Sequence, residues 1–123
     1  MPRRVLIIDG DVAEATTLAC GLAADGYEPA LADSVSGARA LLAREPFAAL
    51  VTDLVLPDGG RHWLAELRAV LPQLPVMVMG DDSVEALGLD RVYGLADAVV
   101  SKPAHPAVLA AMLARAIESR GAS

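Results

Sequence analysis

Val5-Leu6-Ile7-Ile8, followed at once by Asp9-Gly10-Asp11, is the stretch on which the fold turns. Four consecutive β-favouring apolar residues leave no polar side for water, so the strand must be covered on both faces, as strands are in a parallel sheet flanked by helices. This first strand is read over Arg4 to Asp9. An amphipathic stretch follows from about Val12 to Ala24, and the alternation then repeats, each switch marked by Gly, Pro, Asp or Ser. Tyr27 to Ala32 is a weaker strand, after which Ser34 or Ser36 caps a helix carrying Ala38, Leu41 and Leu42 at helical spacing. Ala48 to Thr52 is the third strand, ending at Asp53. Beyond the turn Pro57-Asp58-Gly59-Gly60, Trp63, Leu64, Leu67, Val70 and Leu71 form an i, i+3/i+4 stripe. Pro75 opens the strand Val76 to Met79, and Ser83 to Val92 reads as a short helix that Gly88 weakens by roughly 1 kcal/mol relative to Ala. Ala98, Val99 and Val100 make the last strand. Pro106 then starts a helix over Ala107 to Glu118.

The 123 residues suffice for one domain, read over 1–118, with 119–123 as a linker or loose end. Hydrophobic residues are 54% but aromatics only 3%, so the core must be built from Ala, Val, Leu, Ile and four Met. A net charge of −6 with no basic run argues against direct nucleic-acid binding and against an anionic membrane surface. The lone Cys20 can form no internal disulfide. No apolar run approaches membrane-spanning length, and the four apolar residues after Met1-Pro2-Arg3-Arg4 are too few for a signal-peptide core. A cytoplasmic location is expected.

Five βα units imply a parallel α/β sheet whose ligands bind at the carboxyl ends of the strands, where strand order reverses. The residues placed there are Asp9, Gly10 and Asp11, then Asp53, then Gly80, Asp81 and Asp82, then Ser101, Lys102 and Pro103. Carboxylates gathered at such an edge repel one another, so one keeps its proton or a cation is recruited. Lys102, the sole lysine of the chain, is one such cation. Asp11 also fits a capping box with Glu14, and cap and ligand both stand as readings. His62 and His105 read as exposed or capping side chains, and Trp63 as core.

Val5-Leu-Ile-Ile-Asp9, Thr52-Asp53-Leu-Val-Leu-Pro57-Asp-Gly, Pro75-Val-Met-Val-Met79 and Ser101-Lys102-Pro103 together resemble the receiver domain of bacterial two-component response regulators. The resemblance covers about Arg4 to Glu118. It implies a flavodoxin-like, doubly wound (βα)5 fold with strand order 2-1-3-4-5, and a signalling module rather than an enzyme. Asp53 would accept a phosphoryl group from the phosphohistidine of a histidine kinase or a phosphotransfer protein. Lys102 would contact that group, with a cis bond to Pro103. Asp9 and Asp53 would hold Mg²⁺, together with the main-chain carbonyl of Val55. The departures make this an atypical member. Gly10 replaces the second acid of the usual pair, Asp11 comes one residue late as a further candidate ligand, and Mg²⁺ binding should be weak. The hydroxyl residue after the fourth strand falls on Gly80 or Met79, and the aromatic of the fifth strand is Val99, which leaves the switch incomplete.

Two other readings compete. Asp9-Gly-Asp11 and Gly80-Asp-Asp82 also resemble haloacid-dehalogenase-like phosphatases, with Asp9 as nucleophile and Asp11 as general acid and base. Against this, Lys102 follows the late acids, where that family's lysine precedes them. The other rival is a phosphorylation-independent interaction module. Val108, Leu109, Met112, Leu113, Ala116 and Ile117 form a stripe wider than one sheet-facing edge requires, which would suit a weak homodimer through the fourth and fifth βα units.

Overall fold

A computed structural model of the chain describes residues 3–53, 56, 58, 61–80 and 96–121. The elements run β1 (Arg3–Ile8), α1 (Val12–Ala24), β2 (Tyr27–Ala32), α2 (Val35–Arg44), β3 (Ala49–Asp53), α3 (Arg61–Val70), β4 (Val76–Gly80), β5 (Ala98–Ser101) and α4 (Pro106–Gly121). The five strands form one parallel sheet in the order β2-β1-β3-β4-β5, the order that the resemblance implies. The helix read over Ser83 to Val92 lies outside the described residues.

The apolar runs are explained by the two faces of the sheet. Leu6, Ile8, Leu50, Val76 and Val78 point to one side and pack against Val35 and Ala38 of α2 and Trp63, Leu64 and Leu67 of α3. The alternate residues Val5, Ile7, Ala49, Val51, Met77 and Met79 point to the other, against Ala15, Leu18 and Leu22 of α1 and Leu109, Ala110 and Leu113 of α4. With both sides covered, none of these strand residues can be polar. β2 lies at an edge, which is why Pro29, lacking a ladder donor, is tolerated there.

Helix ends follow local chemistry. The Asp11 side chain accepts the Glu14 N–H at 3.1 Å and caps α1. At the other end Gly26 adopts φ +93°, a conformation a side chain would resist, and turns the chain into β2. Ser34 rather than Ser36 caps α2, accepting the Gly37 N–H at 3.1 Å. Ser36 donates instead to Asp58, at 2.7 Å, and Asp58 also accepts the Val35 and Ser36 N–H groups at 2.8 and 3.1 Å. These hydrogen bonds, the Ser36 hydroxyl foremost, hold the Asp58 carboxyl below its ordinary pKa.

Two expectations are corrected at α4. The residues Ser119 to Gly121, read as a loose end, are helical. Arg120 holds them there, donating to Asp97 at 2.7 Å and to the Pro72 carbonyl at 2.6 Å. The broad apolar stripe is also mostly used within the fold. Leu109 and Leu113 are completely buried, Met112, Ala116 and Ile117 pack against the core, and only Val108 stands out, 53% exposed. Among the described residues no helix is long and apolar enough to cross a membrane.

Candidate functional site

The register of the sheet assembles the site. Ile8 lies opposite Thr52, so Asp9 and Asp53 emerge at the same level from neighbouring strands, at the point where the chain departs to opposite sides. The ladder continues a residue past the strand ends. The Asp9 N–H donates to the Ala32 carbonyl at 3.0 Å, and the Lys102 N–H to the Gly80 carbonyl at 2.8 Å. Both side chains therefore start from fixed backbone. The Lys102–Pro103 peptide bond is cis, as the resemblance implies.

Lys102 reaches across β4 to the acids. Its ammonium donates to Asp53 Oδ2 at 2.7 Å, lies 3.5 Å from Glu14 Oε2 and stands 3.9 Å from Asp9 Oδ1. Burial pulls the lysine pKa down, but the hydrogen bond to Asp53 and the charges of Asp53, Asp9 and Glu14 more than offset this, so the net shift is upward. Burial raises the pKa of Asp9, opposed by the Asp11 N–H that donates to its Oδ1 at 2.9 Å and by Lys102. Burial also raises that of Glu14, with the charge of Asp9 adding to the effect. The carboxylates differ in access. The side chains of Asp9, Asp53 and Glu14 are 1%, 15% and 26% exposed, so of the two carboxylates at the strand ends Asp53 is the more open to an incoming group.

The sequence reading located Asp9, Asp53 and Lys102 but missed Glu14. Its position three residues after Asp11 marked it as the acid of a capping box, yet only the Asp11 half of the box forms. The Glu14 side chain turns inward to Lys102. Asp11 is exposed and acts as the cap. Val55, whose carbonyl the resemblance makes a ligand, lies outside the described residues, as do Asp81 and Asp82. Gly80 ends β4 opposite Ser101, and Val99 packs partly buried on the core. Neither has the hydroxyl or the ring expected of a switch. Of the histidines, His62 is exposed, and His105 accepts the Ala107 N–H at 3.2 Å at the start of α4.

An all-oxygen site of this kind suits a hard divalent cation. Asp9 Oδ2 and Glu14 Oε1 are buried with no hydrogen-bond donor, so both oxygens have a lone pair to offer a cation. Among the described residues no group of three His, Cys, Asp or Glu side chains is already set round a point that a metal ion could take. The acids are arranged instead round the ammonium of Lys102.

Residues 5–114 match the family described as the response regulator receiver domain. The chain is 33% identical over 121 residues to the response regulator protein FleR of Pseudomonas aeruginosa, covering 94% of this chain and 24% of FleR. It is 39% identical over 106 residues to the response regulator receiver protein Anae109_2439 of an Anaeromyxobacter strain, covering 82% of this chain and 43% of that protein. The chain thus spans less than half the length of either relative. Among solved structures, a receiver domain protein of Clostridium thermocellum superposes with a TM-score of 0.87 at 20% identity, over 98% of both chains. NtrX of Brucella abortus superposes with a TM-score of 0.90 at 22% identity, over 99% of this chain and 28% of NtrX. At these identities the two structures speak for the fold.

Proposed function

The chain belongs to the response regulator receiver domain family, and from that membership we propose that it takes part in phosphorelay signalling by accepting a phosphoryl group on Asp53 from a histidine kinase or a phosphotransfer protein. The observation that carries the reading is the 2.7 Å pair between the reachable carboxylate of Asp53 and the ammonium of Lys102 at the reversal point of the sheet. In the transfer an Asp53 oxygen bonds to phosphorus, the phosphorus–nitrogen bond to the donor histidine breaks, and the leaving imidazole takes a proton from solvent. Lys102, already beside Asp53, remains with the phosphoryl oxygens as the carboxylate becomes an acyl phosphate. Asp9, Asp53 and the Val55 carbonyl would hold Mg²⁺, which when bound supplies charge that lets a carboxylate and a phosphoryl dianion approach.

Receiver domains are signalling modules, and the phosphatase reading is disfavoured here because its nucleophile would be Asp9, the least accessible carboxylate of the site. Intact-mass spectrometry after incubation with acetyl phosphate and Mg²⁺ tests the proposal. One added phosphate is expected on the wild type and none on Asp53→Asn. An adduct that survives the substitution overturns it, as does steady hydrolysis of a generic phosphomonoester. The same reading includes a weak symmetric dimer through the last two βα units, with Val108 the apolar side chain that α4 contributes. Light scattering should then show a mass that rises with concentration and that Val108→Glu returns to the monomer. A monomer at every concentration counts against it.

A further inference from the structure

We propose that Glu14, one turn into α1, supplies the metal-binding carboxylate that Gly10 cannot. The inference rests on the reading of Asp53 as phosphoacceptor and concerns the cation of that same site. Position 10 follows directly on Asp9 and carries no side chain, and Asp11 faces solvent with one oxygen already given to the Glu14 N–H. Glu14 does what neither can. Its side chain enters the site from the helix, with Oε2 3.5 Å from the Lys102 ammonium and Oε1 buried without a donor. Independently, Asp9 presents a side chain 1% exposed whose Oδ2 also has no partner. Three carboxylates thus share one ammonium, and two of their buried oxygens are unsatisfied. A second cation is the simplest group to neutralise the excess and satisfy both oxygens together.

The contact that Glu14 must give up is weak. At 3.5 Å its bond to Lys102 lies at the outer edge of hydrogen bonding, whereas the 2.7 Å bond from Lys102 to Asp53 is short and charge-assisted. Lys102 can therefore stay with Asp53 while Glu14 turns to the ion. Glu14→Gln is a clean probe, because it keeps the side-chain size and the backbone N–H that Asp11 caps. A rescue is also open. Apart from its two chain neighbours, no residue comes within 4 Å of where a Cβ at Gly10 would stand, so Gly10→Asp places an acid there without crowding.

The test is titration of Mn²⁺ into the whole chain, read by water-proton relaxation, with MgCl₂ displacing it. Glu14→Gln should weaken both ions by about tenfold to a hundredfold, the loss of one charged oxygen ligand. Gly10→Asp in the Glu14→Gln background should recover most of that affinity. If Glu14→Gln leaves affinity unchanged or tightens it while Asp53→Asn weakens it, Glu14 is no ligand and the reading of Asp53 stands. If binding is indifferent to Asp53→Asn as well, the ion is held elsewhere and the site reading falls with the proposal.

Discussion

Asp97, just before β5 at the amino ends of the strands, gathers three donors. It accepts the Val76 N–H, Arg68 Nη2 and Arg120 Nε, each at 2.7 Å. Burial pushes its pKa up, but these donors outweigh burial and hold it below the ordinary value of 3.8. The sign follows. A depressed folded pKa contributes stability that is complete well above 3.8 and is lost as pH falls through the folded value. Asp97→Ala should cost roughly 2 to 4 kcal/mol near neutral pH, since it leaves the buried Val76 N–H without this acceptor and takes one charged partner from each of two guanidinium groups. Denaturant melts should show that cost shrinking in acid, and a constant difference from pH 7 to pH 2 would refute the assignment. None of this was legible in the sequence, because Arg68 and Arg120 lie 29 and 23 residues away from Asp97. Asp9, Asp53 and Lys102 were legible because strand ends point to one place in any parallel sheet. Glu14 was not, because a capping acid and an inward-turning acid have the same spacing.

At the scale of the elements, close approach decides what the helices can bear. α1 and α4 meet at Gly21, where an added Cβ would lie 2.2 Å from Pro106 Cβ. Ala, ordinarily the better helix former, should therefore be worse here. Gly21→Ala is expected to lower the melting temperature, at a cost of about 1 to 3 kcal/mol as the helices are forced apart. An unchanged or raised melting temperature would show that the pair yields more easily than its packing implies. β4 and β5 carry the second expectation. With Gly80 ending one strand and Val99 in the other, neither position offers a hydroxyl or a ring to follow a phosphoryl group at Asp53, and a ligand moves an equilibrium only by contacts that differ between its states. Beryllofluoride with Mg²⁺ should shift the amide NMR signals of Asp9, Asp53 and Lys102 strongly and those of Met77 to Gly80 little. Large changes spreading through β4 would reveal a substitute switch. The strands and α1 were readable from their apolar runs and caps. The reach of α4 to Gly121 was not, since its last turn is held by the distant Asp97 and Pro72 rather than by its own propensity.

Over the whole molecule, stability rests on two aliphatic layers with little aromatic mass, so closeness of fit counts more than any single large side chain. Neighbours on α4 make the contrast measurable. Leu109 is completely buried and Val108 is 53% exposed. Leu109→Ala should cost about 2 to 5 kcal/mol in chemical denaturation and Val108→Ala no more than roughly 0.5 kcal/mol. Similar losses at both would mean that α4 is seated differently. The sequence showed that both faces were covered, because the runs Val5 to Ile8 and Val76 to Met79 lack polar alternates. It could not show which residues of an Ala-rich helix point inward when nearly all of them are small enough to do so.

Lys102 is the only lysine in the chain, and it lies where the carboxylates converge. A protein grown on isotope-labelled lysine would therefore carry its side-chain label at one place alone. Every such resonance would report from beside Asp53, with no background to subtract, as donors, ions and partners arrive.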